Sequence, residues 1–153
     1  MSVTPAGFTI ERRYDCTPAQ AFSAFADPEL KRQWFANVGG FPEAHWEMDF
    51  RVGGHEINKG GSPGGRHHAF ESRFHDIVEN ERIVFAYDLL LDHRLVSVSL
   101  TSIEFRPDGE GTRLVFTEQG LFLDGLDDPA GREHGTGKLL DALERFLIRE
   151  AVL

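Results

Sequence analysis

Hydrophobic and polar positions alternate through most of this chain, and the spacing turns helical in two places only. Residues 7–14, GFTIERRY, set Phe8, Ile10, Arg12 and Tyr14 against Thr9, Glu11 and Arg13, the period of a strand with one wetter face. CTPAQAFSAFADPELKRQWF then changes the period. Thr17 suits an N-cap, Pro18 the first helical position and Gln20 a capping box, with Phe22, Phe25 and Ala26 as the apolar stripe. Asp27-Pro28 repeats the start signal for a second short helix carrying Leu30, Trp34 and Phe35, and Gly39-Gly40 ends it.

From there the period is two. Trp46, Met48, Phe50 and Val52 form one side of a strand, Gly53-Gly54 reads as a bulge or sharp bend, and His55 and Ile57 resume the pattern. HHAFESRFHDIV places His68, Phe70, Ser72 and Phe74 together, and RIVFAYDLLL places Ile83, Phe85 and Tyr87 together. VSVSLTSIEF starts with Val96, Val98 and Leu100 and continues with Ile103 and Phe105, a change of phase that predicts a bulge near Thr101. Leu114 and Phe116 mark the last strand. Asp128-Pro129 opens a long helix to about Val152, with Leu139, Leu140, Leu143, Phe146 and Leu147 on one broad apolar face. About seven strands joined mostly by short turns predict an antiparallel sheet, with two short helices after strand 1 and one long helix at the end. The class is α+β, in one domain over residues 1–153.

Composition narrows the function. A formal charge of −9 repels phosphate backbones and anionic membrane surfaces, so nucleic acid and membrane insertion are not expected. Thirteen Phe in 153 residues are a large aromatic load for one core. Cys16 is the only cysteine, which excludes an intramolecular disulfide and suits a reducing compartment. The N-terminus, MSVTPAGFTIERRYD, lacks the apolar run of a signal peptide, and a cytoplasmic location is expected.

KGGSPGGRHH, residues 59–68, has nearly the spacing of a phosphate loop. It leads into a strand rather than a helix, so its glycines serve a hairpin turn. Centred on Ser62-Pro63, that hairpin places His55 opposite Phe70 and on the same face as His68, with Glu56 and Glu71 on the other face. Two imidazoles lack the third ligand a metal needs. No metal or cofactor is expected.

Four stretches, taken in order, resemble one family. TPAQAFSAFADPELKRQWF looks like its proline-started helix pair, and DFRVGGHE, Asp49 to Glu56, like its Gly-Gly strand. ENERIVFAY is similar to its next motif, and GTRLVFTEQGL followed by His134, Gly135, Thr136 and Gly137 to its last strand and helix start. The chain resembles the START-like (Bet v 1-like, SRPBCC) superfamily and, within it, the activator-of-Hsp90-ATPase-homologue-1 C-terminal-like (AHSA1-like) family. Lys138 stands where that family carries Trp. The family's Hsp90 co-chaperones carry a further N-terminal domain for which these 153 residues leave no room. The resemblance implies a helix-grip fold: a curved antiparallel sheet wrapped around the C-terminal helix, with a cavity between them.

For such a cavity the candidate apolar wall is Trp46, Met48, Phe70, Phe85, Tyr87 and Phe116, with His134 as a polar group at the mouth. Trp34 reads as a clamp against the sheet, Arg12 as a cation that snorkels or pairs with an acid, and Asp127-Asp128 as a helix cap. No nucleophile elbow, metalloprotease motif or dinucleotide fingerprint is present, and no catalytic residue is assigned. Three functions remain. The favoured one is a module binding a small apolar or amphipathic molecule. The others are an enzyme of cyclase, aromatase or hydrolase type using His134 or Tyr87, and a chaperone-cofactor or other protein-interaction domain of a stress response. A homodimer is compatible with each.

Overall fold

A computed structural model describes residues 1–36, 44–61 and 64–151. Strand β1 (Val3–Tyr14) is followed by helices α1 (Pro18–Ala26) and α2 (Pro28–Lys31), and α2 runs on into a wider π-helical turn, Arg32–Ala36. Then come β2 (His45–Met48), β3 (His55–Gly61), β4 (His67–Val78), β5 (Arg82–Leu91), β6 (Arg94–Asp108) and β7 (Gly111–Leu123), and the chain closes with α3 (Pro129–Ala151). The seven strands form one antiparallel sheet in the order β1-β7-β6-β5-β4-β3-β2. This curved sheet and its long C-terminal helix are the expected α+β helix-grip.

The local signals work as physical chemistry requires. The Thr17 side chain accepts from the Gln20 N–H at 3.1 Å while the Gln20 side chain accepts from the Thr17 N–H, closing the capping box. A two-residue turn with positive φ at Asp92 and His93 joins β5 to β6. Leu140, Leu143 and Phe146 of α3 are buried against the sheet and α1. The Tyr14 hydroxyl donates to the Leu140 carbonyl at 2.9 Å and ties α3 to the first strand.

Three expectations are resolved or corrected. Gly53-Gly54 is not a bulge but the sharp bend, reversing the chain between β2 and β3, which pair with each other. A side chain at Gly54 would stand 2.1 Å from the Asp49 carbonyl, so only glycine fits that turn. Second, β3 and β4 pair with His55 opposite Arg73 and Gly60 opposite His68. This register is offset by three residues from a hairpin centred on Ser62-Pro63, two residues that lie outside those described. An odd offset exchanges the faces. His55 and His68 therefore lie on opposite faces, and Glu56 turns inward beside Phe70, Ser72 and Phe74. Gly39-Gly40 also lies outside the described residues.

Third, β6 has no bulge at Thr101. Its pairing with β7 is unbroken from Ser97 to Asp108, and its register with β5 slips only where Val96 is passed over. Ser97, Ser99 and Thr101 therefore share the buried concave face with Ile103 and Phe105. Val98 and Leu100 lie on the convex face, 41% and 45% exposed.

Candidate functional site

Between the concave face and α3 opens a cavity of about 410 Å³. Among the described residues its wall carries nine aromatic side chains, including Phe25, Trp34, Phe50, Phe70, Phe85 and Phe116. The π-helical turn brings in Trp34 and Phe35, and α3 contributes Arg132, Thr136 and Leu139. Trp34 donates its indole N–H to the Ala24 carbonyl at 2.9 Å and packs edge-on against Phe25, so it is clamped to α1 while facing the cavity.

Two polar clusters border this aromatic space. On the β3 side, Lys31 Nζ lies 2.6 Å from Glu56 Oε1, and Trp46 Nε1 donates to Glu56 Oε2 at 3.0 Å. The lysine also sits 4.6 Å above the Phe35 ring. On the β7 side, Arg132 projects from α3 with all four terminal N–H groups directed at acceptors. Nη1 reaches the Tyr87 hydroxyl at 2.9 Å and Ser99 Oγ at 3.4 Å; Nη2 reaches Ser97 Oγ at 2.7 Å and Asp127 Oδ2 at 2.8 Å. Because Tyr87 accepts from Arg132, its own proton goes to Glu118 Oε2, 2.8 Å away, while Thr101 Oγ1 meets Glu118 Oε1 at 3.0 Å.

The electrostatics follow from burial. Desolvation lifts the Glu118 carboxyl above the usual carboxylate range, against the opposing Tyr87 hydrogen bond and the Arg132 charge. Burial, and then the Glu118 charge, push the Tyr87 phenol well above its ordinary value. Burial works against the Arg132 charge, but Tyr87, Asp127 and Glu118 outweigh it and hold the guanidinium more strongly protonated than usual.

Of the residues singled out from sequence, Phe70, Phe85, Tyr87 and Phe116 line the cavity. Trp46 stands behind it as a donor to Glu56, and Met48 packs at the edge of the core. His134 is exposed on α3 and does not reach the wall. Arg12 pairs with Asp141 at 3.3 Å on the outside of α3. Asp128 caps α3 through the Ala130 N–H, whereas Asp127 turns toward Arg132. Sequence reasoning missed Lys31, Glu56, Glu118 and Arg132. A signal for the last existed: Arg132, Thr136, Leu139 and Leu143 recur at helical spacing on one stripe. Among the described residues no three His, Cys, Asp or Glu side chains gather as a metal would require, and no helix is long and apolar enough to cross a membrane.

A curved sheet closed over an aromatic cavity by its last helix defines a helix-grip domain of the SRPBCC type. The chain belongs to the family described as Activator of Hsp90 ATPase homolog 1-like protein, whose profile matches residues 15–147. Two solved structures are similar over nearly the whole length. The Mll3558 protein from Rhizobium loti is 44% identical, with 95% of this chain and 99% of that one covered at a TM-score of 0.88. A protein from Rhizobium leguminosarum is 42% identical, with 97% of each chain covered at a TM-score of 0.92. CalU16 from Micromonospora echinospora shares the fold at 18% identity, with 99% of this chain and 90% of that one covered at a TM-score of 0.68. No curated protein matches the sequence significantly.

Proposed function

We propose that this protein binds a small apolar or amphipathic molecule in the cavity between its sheet and α3. One observation carries the reading: about 410 Å³ of space is walled by aromatic rings, with a few oriented polar groups at its margins. That is the composition of a small-molecule pocket. Turnover is less well supported. His134 is exposed away from the cavity, and Tyr87, its proton held by burial and by Glu118, is a poor base.

The test is a thermal-shift screen of lipids, aromatic acids, alcohols and amines. A ligand at a hundred times its Kd stabilises by about 2.7 kcal/mol, which raises Tm by roughly 5–10 °C for a chain of this size. L139W, which fills the cavity from α3, should abolish the rise. A screen with no shift, or a shift that L139W leaves intact, contradicts the proposal.

A second reading, a protein-interaction surface, is favoured by the convex face. Val98, Leu100 and Leu121 are exposed together there beside Gly7 and Gly120. Sedimentation velocity checks its simplest form: self-association that L100D dissolves supports it, and a monomer at all concentrations argues against a homodimer.

A further inference from the structure

The hydrogen bonds and charges around the cavity restrict what can occupy it. The inference rests on the binding reading above. An arginine in an aromatic pocket ordinarily suggests a carboxylate ligand. Here the four terminal N–H groups of Arg132 already meet Tyr87, Ser99, Ser97 and Asp127. An incoming anion would have to displace Asp127 or a hydroxyl. At this cluster the capacity left over is on the acceptor side. Each oxygen of Glu118 accepts one hydrogen bond, from Thr101 or Tyr87, and a carboxylate oxygen has room for a second. Glu118 lines the cavity, so an acceptor stands in its wall.

Charge leads the same way. Among the described residues two cations in the wall, Lys31 and Arg132, stand against two carboxyls in the wall, Glu118 and Asp127, and a third, Glu56, paired with Lys31 from outside the lining. Lys31 is matched by Glu56 at 2.6 Å and Arg132 by Asp127 at 2.8 Å. Glu118 is then one carboxyl in excess, with Arg132 Nη1 a more distant 3.6 Å from it. An anionic ligand at either cluster would worsen the imbalance, and a cation beside Glu118 removes it. The wall adds a third argument. Ring faces attract cations, and Phe70, Phe85 and Phe116 lie in the same wall as Glu118.

We propose that the cavity is built for an organic ammonium, a protonated amine on an apolar frame, whose N–H groups are donated to Glu118. Glu118 fixes the charged end, and the ring wall takes the frame.

The test is calorimetric titration of the full chain with three molecules of one shape: phenylbutylamine, phenylbutanol and phenylbutyrate. Tightest binding by the amine is expected, about tenfold over the alcohol and more over the acid. E118Q should reduce amine affinity about tenfold while leaving the alcohol unchanged. D127A, which frees an Arg132 N–H and removes one carboxyl, should strengthen binding of the acid; it keeps the question answerable if E118Q fails to fold. Equal or tighter binding of the alcohol or acid by the native chain overturns the ammonium proposal and leaves the cavity reading standing. Failure of all three to bind overturns both.

Discussion

Lys31 and Glu56 on the β3 side of the cavity, and Arg132 and Glu118 on the β7 side, are both buried pairs of opposite charge, but they are assembled differently. The first is closed. One cation meets one carboxylate at 2.6 Å, and Trp46 takes the other oxygen. The second is shared. Arg132 is divided between Asp127 and Glu118, and three hydroxyls and a phenol complete the network. Each carboxylate oxygen takes one donor in both clusters, but Glu118 lines the cavity and Glu56 does not. Buried polar groups cost stability unless satisfied, and the two clusters meet that cost in different ways.

The largest effect is expected at the closed pair. K31M strands Glu56, whose side chain is 2% exposed, and should cost about 3–5 kcal/mol in urea unfolding. The double variant K31M/E56L should recover most of it, because a buried pair replaced by apolar groups leaves no orphan. If both variants are equally unstable, the pair is not the unit that matters. R132M should cost less, about 1–3 kcal/mol, because Asp127 is already 26% exposed and can turn to water. A loss as great as that of K31M would erase the distinction between the clusters.

A smaller and pH-dependent effect is expected for E118Q. The folded protein raises the Glu118 pKa, so it holds that proton more tightly than the unfolded chain does. The stability this contributes is present at acidic pH and is lost as pH rises through the folded value. Glutamine carries no such loss. The Tm of E118Q should therefore gain on the native Tm as pH rises out of the acidic range; a gap that moves the other way places the Glu118 pKa below its ordinary range. The smallest effect is expected at the Arg12–Asp141 pair, with side chains 35% and 55% exposed. R12A should change stability by about 0–1 kcal/mol, and a cost comparable to K31M would make exposure a poor guide to these ion pairs.

The sequence made the frame legible more fully than the site. Thr17-Pro18, Asp27-Pro28 and Asp128-Pro129 mark helix starts where the structure has them, and the alternation in β1, β5 and β7 assigns their inward faces. Hydrophobicity misled where the inner face is polar. In β6 it favours Val98 and Leu100 over Ser97, Ser99 and Thr101, although extending the phase of Ile103 and Phe105 backward gives the buried set. In β7 the same extension from Leu114 and Phe116 reaches Glu118. At the β3–β4 hairpin an offset of three residues exchanged the faces and hid Glu56. All these cases place polar groups on the buried inner face, where local pattern and burial part company, and Glu118 among them lines the cavity.

The most direct measurement is a crystal structure of the chain grown with phenylbutylamine. Density for the ring is expected among Phe70, Phe85 and Phe116, with the nitrogen within hydrogen-bond reach of a Glu118 oxygen and Arg132 still on Asp127. A cavity closed by repacked rings, or the molecule bound elsewhere with Glu118 untouched, would contradict the account.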